Sequence, residues 1–336
     1  MTTYYSTTTQ ITDLSKSETG KSATARFAQD VKEGLSQQQK QLSSRYFYDG
    51  EGSRLFQKIM HLPEYYLTRS EHNVFTTHQQ TISSQLAAKG NFHLIDLGAG
   101  DATKTKIILR QLLLQQSDFD YVPVDISGDA MVELCENLHD ELPELQTHAV
   151  VGDYFDALDW LDANKPSRKV LLFLGSNIGN FNPDERMAFL KKVRSHMQPG
   201  DMLLIGMDLC KEPETILRAY DDAAGVTADF NLNLLHRINR ELGGNFDVGQ
   251  FKHFALYDPQ EGVMKSFLIS QQDQEVSIKA TGQSFYFHAW EAIHTESSYK
   301  FTLKQAETMG QELGFELQHI FQDKNHYFAD VLYVVT

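Results

Sequence analysis

Between residues 93 and 209 short apolar runs alternate with stretches of helical spacing. HLIDLGAG (93–100), YVPVDIS (121–127), THAVVGD (147–153), KVLLFLGSN (169–177) and DMLLIGMDL (201–209) predict five strands. TKTKIILRQLLLQ (103–115) and residues 129–139 space their apolar positions as helices do. A further helix has a strong start, with Asn182 as N-cap, Pro183 in its first position and Glu185 three residues after the cap. Its apolar face carries Leu190, Val193 and Met197, and Pro199-Gly200 ends it. Strands separated by helices imply crossover connections and a parallel sheet covered on both faces.

The alternation breaks from 211 to 300, where one helix over the Glu214–Arg240 region precedes alternating stretches such as FKHFALYD and MKSFLIS. It resumes with Thr302 and Gln305, a capping box that opens a helix ending at Gly314. FELQHIFQD (315–323) and HYFADVLYVV (326–335) are two strands joined by two residues, too few for a parallel crossover, so this pair is antiparallel. The expected organisation is a Thr/Ser-rich, poorly ordered tail over 1–20, a segment 21–70 that joins the inserted lobe, a sheet domain over 71–209 and 301–336, and an inserted α+β lobe over 210–300.

Composition narrows the class. At 336 residues, with 41% hydrophobic and 22% charged, the chain is long enough to bury a core without staples. Its 45 acidic and 30 basic residues give a net charge of −15, which argues against a nucleic-acid backbone or an anionic membrane as partner. No obligate protein partner is inferred. Cys135 and Cys210 form no CxxC pair, the start of the chain lacks a signal-peptide pattern, and no run of 18 apolar residues occurs, so the expectation is a reduced, cytoplasmic setting. Both cysteines read as small buried hydrophobes. The thirteen histidines show no HxxxH or HExxH spacing, so no metal site is expected, and there is no G-x-S-x-G elbow.

Open α/β sheets hold ligands at the carboxyl ends of their strands. The first strand ends in Asp96-Leu97-Gly98-Ala99-Gly100, where glycine lets backbone approach a ligand. The second ends in Asp125, placed to accept from ribose hydroxyls, and the third in Gly152-Asp153-Tyr154, a carboxylate and a ring suited to an adenine. The dinucleotide fingerprint G-x-G-x-x-G fails because Thr103 stands in the third glycine's place, and there is no P-loop. Together with the terminal hairpin, these strand ends favour S-adenosylmethionine over a nicotinamide dinucleotide.

RYFYDGEGSRLFQKIMHLPEYYLTRSE (45–71) resembles the N-terminal signature of the histidine Nα-methyltransferases of ergothioneine biosynthesis. LIDLGAGDATKTKIIL, FLGSNIGNF, LRAYDDAAGVTADFNLNLL and IHTESSYKF resemble its later blocks, in order, from about residue 40 to the C-terminus. The resemblance implies a class I methyltransferase with a Rossmann-like doubly wound sheet, an antiparallel terminal hairpin and an added substrate lobe. It implies conversion of histidine to its trimethyl betaine, hercynine. Carried over by motif, Gly98, Lys104, Asp125, Asp153 and Tyr154 contact S-adenosylmethionine. Tyr65, Asn180, Tyr220, Glu296, Ser297 and Ser298 contact the substrate, and Tyr48 lies near the amine. Relatives can carry a methionine on the substrate ring where Ser266 aligns here.

Those residue types make chemical sense for an amino acid. Asn180 and Tyr220 offer donors to a carboxylate. Glu296 and Ser298, two apart in an extended segment, share a face and present an acceptor and a hydroxyl to two ring nitrogens. Read alone, Glu296 is more often a solvated strand-face charge, Tyr220 a core tyrosine and Asn180 a turn cap. The Asp221-Asp222 pair reads as a helix start rather than a metal site. No His–Asp pair marks itself as a base, and Tyr48 and Tyr65 position rather than deprotonate, because a phenol titrates near 10. The alternatives are another aromatic amino acid or small amine as acceptor, and a non-catalytic S-adenosylmethionine-binding protein.

Overall fold

The computed structural model describes residues 2–4, 9–14 and 20–336. In chain order the elements begin β1 (Thr2–Tyr4), β2 (Thr9–Asp13), α1 (Gly20–Leu35), α2 (Gly50–Met60) and α3 (Tyr66–Ala87). The alternating region follows: β3 (Phe92–Leu97), α4 (Thr105–Leu114), β4 (Phe119–Asp125), α5 (Gly128–Glu141), β5 (Thr147–Val151), α6 (Tyr154–Asn164), β6 (Lys169–Phe173), α7 (Pro183–Ser195) and β7 (Met202–Asp208). Then come α8 (Pro213–Tyr220), α9 (Val226–Leu242), β8 (Phe251–Asp258), β9 (Val263–Ser270), β10 (Gln274–Ile278), β11 (Gln283–Phe287) and β12 (Ala292–Tyr299). The chain closes with α10 (Leu303–Glu312), β13 (Phe315–Gln322) and β14 (Phe328–Val335). It divides into two compact units, Met1–Ser17 with Leu67–Cys210 and Phe301–Thr336, and Glu18–Tyr66 with Lys211–Lys300.

The first unit is a nine-stranded sheet ordered β1-β2-β5-β4-β3-β6-β7-β14-β13. From β2 to β7 all neighbours are parallel, and β14 runs antiparallel to both β7 and β13. This is the doubly wound class I order with its terminal hairpin. β6, β7 and β14 are buried at every position, as a sheet covered on both faces requires. The Asn182–Glu185 capping box forms and starts α7, and a second box, Thr302 with Gln305, starts α10. Each cap contributes about 1 kcal/mol by satisfying otherwise orphaned backbone N–H groups.

One expectation fails at the sheet edge. Residues 9–13 are not a loose tail but strand β2, paired in parallel with β5 from Thr9 opposite Thr147 to Asp13 opposite Val151. The sequence TQITD supplies β-branched residues, and Thr9, Ile11 and Thr12 are buried there. Residues 1, 5–8 and 15–19 of the expected tail lie outside the described residues.

The second unit carries a three-stranded antiparallel sheet, β12-β9-β8, and the hairpin β10–β11. β8 alternates buried and exposed positions, the one-sided pattern of FKHFALYD. The single helix expected over the Glu214–Arg240 region is two helices. Gly225 turns left-handed (φ +74°), and Asp222 accepts from the backbone N–H of Val226 (2.9 Å) and of Thr227 (2.8 Å), which restarts the helix as α9. Asp222 is thus a helix-start anchor, and no cluster of metal-ligating side chains exists among the described residues.

Candidate active site

In the first unit the carboxyl ends of β3, β4, β5 and β6 meet around two left-handed glycines. Gly98 (φ +81°) follows β3 and Gly175 (φ +74°) follows β6. A side chain on Gly98 would strike the Tyr154 hydroxyl at 2.9 Å, and Asn177 Nδ2 lies 3.7 Å from the same point. At Gly175 the nearest groups are Asn177 Nδ2 and Lys104 Nζ, each 3.7 Å from where a Cβ would sit. Three polar groups, from Tyr154, Asn177 and Lys104, therefore converge on these two glycines.

Asp125, half-buried at the end of β4, accepts from the N–H of Gly100 (3.2 Å) and of Ser127 (3.0 Å). Each carboxylate oxygen keeps a further lone pair for a hydroxyl. Asp153 is exposed and N-caps α6 by accepting from Phe155 N–H (3.1 Å), so it has a structural duty as well as the expected one. The Tyr154 ring sits edge-on to Phe173 (5.8 Å) and Phe189 (6.2 Å). Burial, with the charges of Asp125 and Asp153, pushes its phenol above the ordinary range, so the hydroxyl stays protonated.

Lys104 is engaged by Glu71, which is itself buried and accepts from Gly175 N–H (2.7 Å) through its other oxygen. Burial opposes the charge on Lys104, yet the Glu71 carboxylate, helped by Asp330 and Asp96, holds the ammonium above its usual value. Asp330 lies fully buried on β14 with no hydrogen-bond partner for either oxygen among the described residues. Burial and the neighbouring Glu71 charge raise its carboxyl well above the ordinary range, while the Lys104 ammonium pulls the other way. Glu71 and Asn177 were missed in the sequence: Glu71 stands on α3, away from any strand end, and Asn177, the last residue of the expected fourth strand, was not singled out. Asn180 closes a short turn after β6, exposed, and its amide has no partner among the described residues, so it does not cap a turn.

In the second unit, the DGEG stretch fixes Tyr48. Asp49 N-caps α2 through Gly52 N–H (2.7 Å) and accepts from Asn233 Nδ2 (2.8 Å) on α9. Gly52 has no room for a side chain, since a Cβ would sit 1.8 Å from the Phe47 carbonyl oxygen. Tyr48, half-exposed, packs its ring edge on Phe56 (5.5 Å) and Phe230 (5.7 Å). Tyr65 is buried and meets Phe56 (6.2 Å) and Tyr220 (6.5 Å) edge-on.

Tyr220 ends α8, held there by the buried His253, whose Nε2–H donates to the Tyr220 carbonyl (3.0 Å). Its hydroxyl lies 2.8 Å from Ser298 Oγ, and Lys300 Nζ donates to both, at 2.8 Å to the phenol and 2.7 Å to the serine. Glu296 is half-buried, with no hydrogen-bond partner among the described residues. Burial pushes its carboxyl up to about 7, even with the Lys300 ammonium pulling the other way. Lys300 was missed, although the signal was legible: the extended alternation through Glu296 and Ser298 continues to it. Ser297 does not join this group. Its hydroxyl lies 3.0 Å from His294 Nε2, because alternation along β12 sends it to the other face.

Ser266 sits on β9 directly opposite Glu296, and Met264 opposite Ser298, both buried. Two residues apart on one strand, they share a face. A methionine therefore lies on the same strand face as Ser266.

The family model for histidine-specific, S-adenosylmethionine-dependent methyltransferases matches residues 27–335. The chain belongs to that family. It is 36% identical over 302 residues to the histidine N-alpha-methyltransferase of Mycolicibacterium smegmatis, covering 90% of this chain and 92% of that one. Against the histidine N-alpha-methyltransferase of Mycobacterium tuberculosis it is 37% identical over 284 residues, 84% of this chain and 86% of the relative. Ergothioneine biosynthesis protein 1 of Neurospora crassa is 30% identical over 282 residues, which is 82% of this chain and 31% of that longer protein.

The strand ends fit the family's methyl donor. Gly100, exposed and left-handed (φ +53°), has nothing within 4 Å of where a Cβ would sit, so a ligand can approach the backbone there, and Asp125 has lone pairs to spare for a diol. No helix among the described residues is long and apolar enough to cross a membrane. Neither cysteine takes part in a disulfide; Cys135 is buried as expected, whereas Cys210, just past the end of β7, is exposed.

Proposed function

We propose that this histidine-specific methyltransferase transfers methyl groups to the α-amino nitrogen of L-histidine, three times, giving the trimethyl betaine hercynine for ergothioneine biosynthesis. The observation that carries the reading is the arrangement on β12. A half-buried carboxylate without a hydrogen-bond partner among the described residues, Glu296, stands two residues from a hydroxyl, Ser298, on one strand face. That pair matches the two nitrogens of an imidazole. A phenyl ring would leave the desolvated Glu296 unpaired, at a cost of roughly 1–3 kcal/mol, which is the strong kind of selectivity. The names of the relatives point to the same acceptor.

In this reading Gly98, Lys104, Asp125, Asp153 and Tyr154 hold S-adenosylmethionine, with Asp125 on the ribose hydroxyls. When bound, that group supplies an electrophilic methyl on a sulfonium. The chain's own work is alignment of the amine lone pair with that carbon. Asn180 and Tyr220 take the α-carboxylate. Tyr65 and Tyr48 flank the amine as positioning hydroxyls, and the proton leaves to water. We place the activity in a cytoplasmic setting, as two cysteines outside any disulfide suggest, with a small-molecule acceptor; the net charge of −15 supports the absence of a nucleic-acid or membrane partner.

A competition assay tests the proposal. The protein is incubated with isotope-labelled S-adenosylmethionine and equal histidine, tryptophan, tyrosine and phenylalanine, and the products are separated by mass. Label enters histidine by at least tenfold preference. Preferred labelling of tryptophan or phenylalanine would refute the histidine reading and leave the methyltransferase family standing.

A further inference from the structure

Lys300 is a buried ammonium, 2% exposed, that nothing in the proposed reaction requires as a contact. Its Nζ donates to Tyr220 Oη (2.8 Å) and to Ser298 Oγ (2.7 Å), and lies 4.7 Å from the Tyr220 ring centre. An ammonium only donates, so both oxygens are held as acceptors toward Lys300. In the arrangement seen, the phenol hydrogen goes to Ser298 (2.8 Å). Ser298 then accepts twice, and its own hydrogen is left for a third partner. If the phenol hydrogen turns to a ligand carboxylate, neither oxygen loses satisfaction, because Lys300 bridges both. The bridging cation thus frees two hydroxyl hydrogens to point at a ligand while keeping two buried oxygens satisfied, which matters because an unsatisfied one is costly.

The consequence is directional. Ser298 faces the ligand as a donor, and Glu296, two residues back, only accepts once it is ionised above about pH 7. That pair reads a ring with one N–H and one bare nitrogen, a neutral imidazole in a single tautomer. An imidazolium would set an N–H against the Ser298 hydrogen, and an indole or phenyl has no bare nitrogen to offer. We propose that Lys300 is a positioning residue that holds Ser298 and Tyr220 as donors, and so makes the acceptor site select neutral imidazole. This rests on histidine being the acceptor.

The test replaces Lys300 by Met and by Gln in the full chain, and measures kcat, the histidine KM, the histidine-to-phenylalanine preference, and S-adenosylmethionine affinity by calorimetry. Lys300→Met raises the histidine KM at least tenfold and lowers the preference at least tenfold, while methyl-donor affinity stays within twofold. Lys300→Gln, which keeps a donor, falls between it and the native protein. In a Tyr220→Phe/Ser298→Ala background, where the oxygens are gone, Lys300→Met costs less than a further twofold. If the Met variant yields no donor-binding protein, the Gln variant carries the same comparison. An unchanged KM and preference, or an equal loss in the background lacking both hydroxyls, overturns the proposal. If the native protein methylates no histidine, the functional reading itself has failed; if it does and the Lys300 variants match it, only this inference has.

Discussion

Replacing Glu296 by Gln separates what that carboxylate does for substrate from what it costs the fold. Burial raises its titration from 4.5 to about 7. At ~1.4 kcal/mol per pH unit, that gap corresponds to about 3 kcal/mol of penalty for the ionised form. Water reaching the half-buried side chain reduces this, so we expect about 1–3 kcal/mol. The folded protein holds this proton more tightly than the unfolded chain. Unfolding therefore releases it between pH 4.5 and about 7, and the contribution to stability falls as pH rises through that window, then stays level. Glu296→Gln has no such slope, and the slopes from Asp96 and Asp330 cancel in the difference. Urea unfolding without histidine makes the variant more stable than the native protein by about 1–3 kcal/mol at pH 8, with the gap closing by pH 4.5. The same variant loses at least tenfold in histidine kcat/KM at pH 8, since a hydrogen bond to a charged group is worth ~1.5–3 kcal/mol. A pH-independent gap, or a native protein more stable than the variant at pH 8, would refute the reasoning.

Other substitutions probe the remaining parts. Asp125→Ala weakens S-adenosylmethionine binding by about 1–3 kcal/mol in calorimetry, and an unchanged affinity would remove Asp125 from the ribose. Histidinol, which lacks the carboxylate that Asn180 and Tyr220 are proposed to hold, is a poor acceptor in steady-state assays; efficient methylation of it would sink that assignment. Gly52→Ala forces a Cβ to within 1.8 Å of the Phe47 carbonyl, so thermal melting shows destabilisation of about 1–3 kcal/mol or more, and histidine turnover falls as Tyr48 shifts. An unchanged melting temperature would mean that the turn relaxes without strain.

The parallel sheet was legible because its strands are continuous apolar runs and its helices carry caps that sequence alone displays, as at Asn182–Glu185. The break between α8 and α9 was not, because Asp222 and Gly225 interrupt a run whose apolar spacing continues across them. β2 was hidden in a Thr/Ser-rich stretch, where composition suggested a tail and partner strand β5 supplied the order. Within the candidate site, strand-end residues such as Asp125 announced themselves through position. Glu71 did not, since it reaches Gly175 from a helix 104 residues earlier. Ser297 was drawn in by adjacency to Glu296, and strand alternation takes it away again. Lys300 obeyed the same alternation and was passed over, since a lysine usually marks a solvated end rather than a buried bridge.

The central claim is methylation of the α-nitrogen of histidine, and the position of the transferred methyl tests it most directly. The protein is supplied with L-histidine and S-adenosylmethionine carrying a carbon-13 methyl, and the product is read by NMR and mass spectrometry. The account predicts three equivalent labelled methyls on the α-nitrogen and an unmodified imidazole. Label on a ring nitrogen, or no transfer to histidine while the donor still binds, would contradict it.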